Sequence, residues 1–497
     1  MRKKRLIIAL AAVAALIFLF AGCRIAIKRD PPPDPNSDLI FTLTDDGTYS
    51  VSAGESFDDS DLMVPSEHEG IAVTQIASRG FAGEDQLKTV YIPDSVTAVS
   101  GNAFDGCQKL QFVTLSESLR DIGRYAFKGC ASLTDINLPN SIERIGTGAF
   151  EGCSSLTEAV LPTHVAVLSD FTFNGCSSLS AVRIDGRITA IGNDAFKGCS
   201  SLKSVYAEDG VIYIGSNAFL NCTSLSTAVL GKSVAFIGES AFENCSSLTS
   251  FSVPDGVTRI PARAFSGCAS LVEVNLTDNV AVIGEWAFSG CSSLNGVNIP
   301  NVSDIGVGAF QGCSSITEID ISKRVTVIKE RTFSECHSLA SVRIPEMDTE
   351  IGNSAFSYCY ALTSVIFPFR VTRIGEGAFS YCTSLASITL PTEITAIESN
   401  TFAYCSSLLK INIPQYVRSI GESAFYGCSS LISVYFPVNV GSICTRAFSE
   451  CAALSGIYYD GVYRDWAAII KDDGWVTGIS IISLHCRDRT VSDYKGD

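Results

Sequence analysis

Apolar residues recur along most of this chain in blocks of 23 residues, and sixteen cysteines mark the blocks. Every step between them is 23 residues long except the step of 22 from Cys291 to Cys313, and a Phe stands three residues before each cysteine. An earlier block keeps Phe81 but has Glu84 in place of the cysteine. A fixed period of this length predicts a solenoid of about 17 coils that share one core. The cysteines are Cys107, Cys130, Cys153, Cys176, Cys199, Cys222, Cys245, Cys268, Cys291, Cys313, Cys336, Cys359, Cys382, Cys405, Cys428 and Cys451.

The repeat that begins at Cys382 shows the elements expected in one coil. Leu385, Ile388 and Leu390 predict a short strand, and Pro391 ends it because proline has no N–H to donate to a neighbouring strand. The Phe-containing segment that follows predicts a tight turn or a short helical turn. A single coil cannot bury its own apolar face, so neighbouring coils must stack on one another.

The repeat resembles a known family. The pattern Leu-x-x-Val-x-Ile-Pro-x-x-Val-x-x-Ile-Gly-x-x-Ala-Phe-x-Gly-Cys-x-x-Leu, seen from Leu133 to Leu156, resembles the BspA-like leucine-rich repeats of bacterial surface proteins, and the resemblance covers about residues 62–459. It implies a leucine-rich-repeat solenoid with parallel short strands on one face and turns or short helical turns on the other. Members of this family act as adhesins or as binding surfaces for host and other extracellular proteins.

Both ends of the repeat array need a cap, because an uncovered coil would expose apolar surface and an open strand edge. Residues 39–61 predict an N-terminal hairpin whose turn is Asp45-Asp46-Gly47. The solenoid is expected to occupy residues 62–456. Residues 457–497, with two tryptophans, resemble the C-terminal cap and tail often found on these arrays.

The N-terminus predicts export. Four basic residues and an apolar run that ends at Gly22 form a secretory signal, residues 1–22. The residues before Cys23 resemble a bacterial lipobox, although Phe20 stands where an aliphatic residue is usual, and the resemblance implies that Cys23 is lipid-modified. The alternative is an uncleaved membrane anchor. Residues 23–38 are proline-rich and predict an extended tether, so we expect a lipoprotein exposed at the cell surface and anchored in the membrane by its lipid.

Charge and cysteine spacing exclude several functions. The 36 basic and 52 acidic side chains give a net charge of −16, and loss of the four basic residues in the signal lowers it to −20, so nucleic acid is not an expected partner. The sixteen cysteines share one inward position, which favours buried free thiols over disulfides between coils. They lack the CxxC spacing of a metal site, and the four histidines occupy unrelated positions. We therefore expect no metal, no cofactor and no enzymatic activity.

The candidate binding residues stand at outward positions. The residue before the repeat cysteine is Gly in most coils, but it is Tyr358, Tyr381 and Tyr404 in three successive coils. Tyrosine suits binding surfaces, so this column predicts a ligand site, with a purely stabilising stack as the alternative. The outward strand positions add further candidates and lead us to expect a more apolar surface in the last third of the chain: Arg343, Ile366, Tyr435 and Tyr458.

The sequence favours a cell-surface protein that binds other proteins, an adhesin for host or extracellular proteins. A carbohydrate-binding or envelope-organising module is the alternative, and the glycan or protein nature of the ligand stays open. Solenoid specificity resides in scattered surface residues, so no short motif identifies the ligand.

Overall fold

The computed structural model describes residues 38–494 except 185–186, 208, 348, 369 and 480–481. The described chain is a parallel β-solenoid of about 19 turns with a spacing of 23 residues, which confirms the predicted leucine-rich-repeat fold. The turns exceed the 17 expected because the terminal segments stack on the array as well. The predicted signal, Cys23 and the tether up to residue 37 lie outside the described residues.

The first ladder of parallel strands begins shortly after each repeat cysteine. In its three-residue strands the central side chain is buried and the two flanking side chains face outward, as the two-residue period of a strand requires. The strands of this ladder are Asp61–Met63, Thr89–Tyr91, Phe112–Thr114, Asp135–Ile136, Glu158–Val160, Ala181–Arg183, Ser204–Ala207, Thr227–Leu230, Ser250–Ser252, Glu273–Asn275, Glu318–Asp320, Ser341–Arg343, Ser364–Ile366, Lys410–Asn412, Ser433–Phe436, Gly456–Tyr459 and Ile482–His485.

The second ladder is formed mostly by two-residue strands that precede the repeat phenylalanine, and it too is parallel. It starts from Tyr49–Ala53 and continues in the strands Ile71–Ile76, Ala98–Val99, Asp121–Ile122, Arg144–Ile145, Val167–Leu168, Ala190–Ile191, Tyr213–Ile214, Phe236–Ile237, Arg259–Ile260, Val282–Ile283, Asp304–Ile305, Val327–Ile328, Glu350–Ile351, Arg373–Ile374, Ala396–Ile397, Ser419–Ile420, Ser442–Ile443 and Ile470–Lys471.

The segment around each repeat phenylalanine is a series of tight turns. In one coil the N–H of Cys107 donates to the carbonyl of Phe104 at 3.3 Å, while the N–H of Phe104 donates to Ala126 in the next coil at 2.8 Å. The backbone of each turn therefore forms hydrogen bonds to the next coil as well as within its own coil. Within the described ranges the one helix is Tyr463–Ala468, so the repeats use turns and not helical turns.

The prediction of a strand after Leu385 is wrong. Residues 387–389 form no strand, and Ile388 is only partly buried. A shallow groove of about 360 Å³ opens beside this coil, lined in part by Ile366 and Leu390. Alternating apolar residues do not make a strand by themselves, because a strand also needs hydrogen-bond partners in the neighbouring coils.

The core is a column of seventeen phenylalanine rings that runs the length of the array. Successive rings are 5.0–5.7 Å apart between centroids, and their planes differ by 3–14°. The column ends on rings turned nearly perpendicular: Phe57 meets Phe81 at 68°, and Trp475 meets Phe448 at 89°. Offset and edge-on arrangements are the favourable ones for aromatic pairs, so both ends are closed by good contacts.

The sixteen repeat cysteines are buried and free, as the sequence predicted. Each thiol donates to a backbone carbonyl of a repeat phenylalanine in an earlier coil at 3.0–3.3 Å, as Cys107 does to Phe81. Burial raises the pKa of the Cys153 thiol to about 12, so the reactive thiolate is disfavoured. Cysteine thus supplies a small apolar body with one weak donor.

The two ends of the array differ from the repeats. At the N-terminus Leu39–Leu43 and Tyr49–Ala53 form an antiparallel hairpin with its turn at Gly47, and the two-residue strand Glu67–His68 pairs with the start of Ile71–Ile76. At the C-terminus Ile482–His485 pairs antiparallel with Thr490–Tyr494. There the buried Trp466 donates its ring N–H to the Tyr494 hydroxyl at 3.1 Å.

Candidate functional site

Two backbone positions in every coil adopt a left-handed conformation, and the second of them contains the predicted tyrosine site. This second position is the residue directly before the repeat cysteine, and its φ lies between 59° and 80° in all seventeen coils. Glycine adopts this conformation without strain because it has no Cβ. Ten coils have glycine there, and seven have another residue: Asn221, Asn244, Glu335, Tyr358, Tyr381, Tyr404 and Glu450.

The three tyrosines of the predicted ligand site occupy this strained position in three successive coils. Their φ values are 60°, 60° and 61° for Tyr358, Tyr381 and Tyr404. A bulky residue held here costs on the order of 1 kcal/mol or more, as it does at the other left-handed position of the coil, where Phe171 and Trp286 stand. Asparagine at the same position is far less unusual because it tolerates left-handed geometry.

The tyrosine rings form a tight outer column. The centroid of Tyr358 is 4.5 Å from that of Tyr381, and the latter is 4.4 Å from that of Tyr404, with planes within 17°. Tyr404 also leans over the next coil, where a Cβ on Gly427 would come within 2.9 Å of its ring. Each ring face inside the column is therefore covered, and the ring edges and hydroxyls remain outward.

Three further aromatic side chains extend this column. Tyr360 stands perpendicular to Tyr358 at 6.2 Å and contacts the ring of His337 at 4.8 Å. At the other end Tyr426 meets Tyr404 at 5.3 Å and 76°. We call the six residues His337, Tyr358, Tyr360, Tyr381, Tyr404 and Tyr426 the aromatic strip. Sequence reasoning missed three of them, although each is an aromatic residue where most coils have a small or polar one.

The aromatic strip is uncharged at its centre. Burial raises the pKa of Tyr381, and the hydroxyls of Tyr404 and Tyr358 raise it further, so this phenol stays neutral. In the left-handed column the nearest charged residues are Glu335, which accepts a hydrogen bond from Gln311 at 2.7 Å, and Glu450. Acidic borders around a neutral centre disfavour anionic ligands.

The strand-face candidates lie along the first ladder and not along the turns. Arg343 is paired with Ile366, which is 58% exposed, while Tyr435 stacks on Tyr458 at 4.6 Å. Two coils lie between the two pairs: one in which residues 387–389 form no strand, and one that contains Lys410–Asn412. The predicted site residues therefore form the tyrosine column and two separate strand-face pairs. The sequence missed His485, which continues the second pair at 4.7 Å from Tyr458.

Exposed apolar residues are concentrated in the last third, as the sequence predicted: of the 26 large apolar side chains exposed among the described residues, 13 lie from Met347 onward. Single strands of the earlier coils also expose such side chains. Their exposures are 47% for Tyr91, 47% for Phe112, 51% for Val160, 45% for Tyr206 and 49% for Val229. The C-terminal coils also carry a longer run of stacked rings than the earlier coils, where Tyr213 and Phe236 form a single stacked pair at 4.8 Å.

Metal sites and membrane-spanning helices are both absent from the described residues. No three His, Cys, Asp or Glu side chains among them converge to hold a metal ion. In the same part of the chain, no helix has the length and apolar character needed to cross a membrane. The histidines are dispersed: His164 contacts the Asn140 carbonyl at 2.8 Å, and His485 contacts the Thr490 hydroxyl at 3.2 Å.

Comparison with known proteins gives consistent relatives. The profile of the BspA type leucine-rich repeat region matches six copies over residues 74–189, 121–249, 166–295, 236–363 and 349–464. A leucine-rich repeat protein from Bacteroides ovatus has a similar solved structure, with a TM-score of 0.56 and 27% identity over 82% of this chain and 95% of that one. A leucine-rich cell surface protein from Faecalibacterium prausnitzii is 26% identical over 89% of this chain and 98% of its own, with a TM-score of 0.38. No curated protein matches the chain significantly.

Proposed function

This chain belongs to the BspA-type leucine-rich repeat family, and on that premise we propose that it is an adhesin that binds an extracellular or host protein through its aromatic strip. The family and the fold establish a repeat module suited to protein interactions. The adhesive role and the site on the strip are our proposal.

The run of three stacked tyrosines in successive coils carries the proposal. Where ten coils use glycine, three successive coils place a tyrosine at a φ of about 60°. A stack that served stability alone would lose much of its benefit to the backbone cost, because an aromatic pair contributes about 0.5–1.5 kcal/mol beyond its buried area. Tyrosine is also enriched among the residues that dominate protein interfaces.

The ring arrangement favours a protein over a glycan. A sugar ring would stack on an open aromatic face, but the centroid steps of 4.5 and 4.4 Å leave no open face within the column. The exposed groups are hydroxyls, which both donate and accept hydrogen bonds, and ring edges, which carry partial positive charge. Backbone carbonyls and aromatic faces of a protein partner complement such groups.

Display at the cell surface is part of the proposal. The apolar N-terminal run followed by Cys23 supports export and lipid attachment, and the proline-rich residues 23–38 support a spacer between membrane and solenoid. Labelling of producing cells with palmitate, compared between the native chain and Cys23→Ala, tests the anchor. Equal labelling of both would contradict lipidation at this residue.

The binding test replaces all three column tyrosines with glycine. Tyr358→Gly, Tyr381→Gly and Tyr404→Gly restore the residue that ten other coils carry, so the backbone keeps its preferred conformation. We expect binding to immobilised extracellular matrix proteins to fall at least tenfold, since interface tyrosines contribute on the order of 2 kcal/mol each at hot spots. Surface plasmon resonance measures the affinity, and a glycan array with the same pair of proteins tests the carbohydrate alternative.

The matched control is Asn221→Gly with Asn244→Gly, which makes the same backbone change in the same column outside the aromatic strip. Tyr125→Ala is a second control. Tyr125 is a half-buried tyrosine at the other left-handed position of its coil, and its ring lies over Gly148 of the next coil, outside the aromatic strip. Both controls should bind as the native chain does. Native affinity in the triple variant, measured on folded protein, would refute the proposed site.

A further inference from the structure

Among the described residues, the N-terminal hairpin has one strand edge that pairs with no other strand. The N–H of Thr44 donates to the carbonyl of Thr48 at 2.8 Å, and the N–H of Gly54 donates to Asp38 at 2.9 Å. Because hydrogen bonding alternates along an antiparallel pair, Ile40 and Thr42 direct their backbone groups into the hairpin. The backbone N–H and C=O groups of Leu39, Phe41 and Leu43 point to the other side, where the described residues provide no strand.

Nothing on this strand resembles the usual protection of an edge. Natural edge strands carry lysine, proline or a bulge that blocks pairing with another chain. Leu39–Leu43 has none of these in its sequence LIFTL, and it pairs in continuous register with Tyr49–Ala53. Two of its three exposed side chains are apolar, with Ile40 49% exposed on one face and Leu43 59% exposed on the other, and the third is Thr42.

The surroundings of the edge are strongly acidic. Between Asp38 and Ser78 the chain has nine Asp and Glu residues and no Lys or Arg. Asp38 stands at one end of the edge strand and the turn residue Asp46 at the other, where hydrogen bonds from Thr44 and Thr48 lower the pKa of the Asp46 carboxyl. Two more acids flank His68, whose ring stacks on Phe41 at 3.9 Å: Glu67 and Glu69.

We propose that this edge is a second binding site, which takes an extended, positively charged polypeptide segment as an added β-strand. Five residues of the partner would hydrogen-bond to Leu39, Phe41 and Leu43, with alternate apolar side chains of the partner on the face that exposes Ile40. Basic residues at the two ends of the segment would lie near Asp38 and Asp46. A second copy of this chain fits poorly, because it would bring two acidic edges together.

The site is independent of the aromatic strip. It belongs to the N-terminal cap, uses backbone hydrogen bonds and selects charge, whereas the strip uses tyrosine hydroxyls on coils far along the array. Failure of one proposal leaves the other unaffected, because the variants that test them share no residue.

The test uses the full-length chain in neutral detergent and a labelled peptide, Lys-Val-Thr-Val-Thr-Val-Lys, followed by fluorescence anisotropy. We expect this peptide to bind at least tenfold more tightly than its counterpart with Glu at both ends, and the difference to shrink in high salt. A peptide N-methylated at alternate residues should not bind. Equal affinity of the Lys and Glu peptides would overturn the proposal.

Leu43→Pro removes one outward N–H and leaves the inward bonds of the hairpin in place, while Leu43→Ala keeps the N–H and removes the side chain. We expect a loss of at least tenfold in peptide affinity for the proline variant and a smaller loss for the alanine variant. Hydrogen exchange of residues 38–54 checks that the hairpin persists. Native affinity in Leu43→Pro would refute the edge, and self-association that this variant abolishes would show that a second copy occupies the edge instead.

Discussion

The inner phenylalanine column and the outer tyrosine column obey the same 23-residue period, but they differ in extent and in backbone geometry. Phenylalanine occupies all seventeen coils, and none of these rings sits on a left-handed residue. Tyrosine occupies three coils, and each of its positions is left-handed. Stacking is therefore a structural requirement inside the coil and a local addition outside it.

The difference separates two reasons for the presence of an aromatic ring. The inner rings are fully buried, and each contributes its whole apolar surface to the core. The outer rings keep 37% exposure at Tyr358 and 39% at Tyr404 while their backbone carries strain. A left-handed backbone alone does not indicate a partner, because Tyr125 and Phe171 share it. The outer column differs from them in that three partly exposed rings stack in successive coils.

Removing one inner ring should have the largest effect on the fold. Phe265 is fully buried between Phe242 and Phe288 and also contacts Phe251 edge-on at 4.6 Å. We expect Phe265→Ala to lower the free energy of unfolding by about 3–5 kcal/mol, because it leaves a cavity. Urea denaturation followed by circular dichroism measures it.

The matched control is Phe171→Ala, a half-buried phenylalanine at a φ of 60° outside the inner column. Its loss should cost no more than about 1 kcal/mol, the usual range for a surface change. Equal losses in the two variants would contradict the distinction between inner and outer rings.

Removing one thiol should have an intermediate effect. Cys268 is buried and donates to the Phe242 carbonyl at 3.1 Å. We expect Cys268→Ala to cost about 1–2 kcal/mol, since it loses a weak hydrogen bond and a little buried volume. Denaturation measures the loss, and the intact mass of the unreduced native chain should show no loss of two hydrogens per cysteine pair. Such a loss would mean that the column is disulfide-bonded.

Removing the central outer ring should change stability least. Tyr381→Gly relieves the left-handed strain but loses stacking on Tyr358 and Tyr404, and the two terms are of similar size. We expect the free energy of unfolding to change by no more than about 1 kcal/mol. Thermal unfolding of this variant beside Asn244→Gly measures the difference, and a destabilisation comparable to that of Phe265→Ala would make the tyrosine column structural.

The sequence predicted those features of the structure that follow from the 23-residue period. A nearly constant repeat length places equivalent residues of successive coils above one another. It therefore aligns Phe104 and its counterparts in one column, Cys107 and its counterparts in a second, and the three tyrosines in a third. The orientation of Tyr360 and Tyr426 could not be read, because a ring at right angles to the column depends on which rotamers the neighbours leave open. The missing strand at Ile388 was also hidden, since its apolar pattern matches that of coils that do form strands.

Glycine before most repeat cysteines was a sequence sign of the left-handed backbone there, because glycine is common where φ is positive. What the repeat could not reveal is that tyrosine keeps the same backbone when it replaces glycine. The sequence shows that Tyr381 replaces glycine, but the backbone strain at Tyr381 becomes evident only from its φ of 60°.

The hydrogen bonds that join each turn to the next coil have a mechanical consequence. Because every coil holds mainly to its immediate neighbours, a force applied between the two ends peels the array from one end and does not shear it at once. Each detached coil releases 23 residues, or on the order of 80 Å of extended chain. A molecule pulled from its two ends would therefore extend in many small steps of similar length, one coil at a time. Unfolding in such steps dissipates a sudden force gradually.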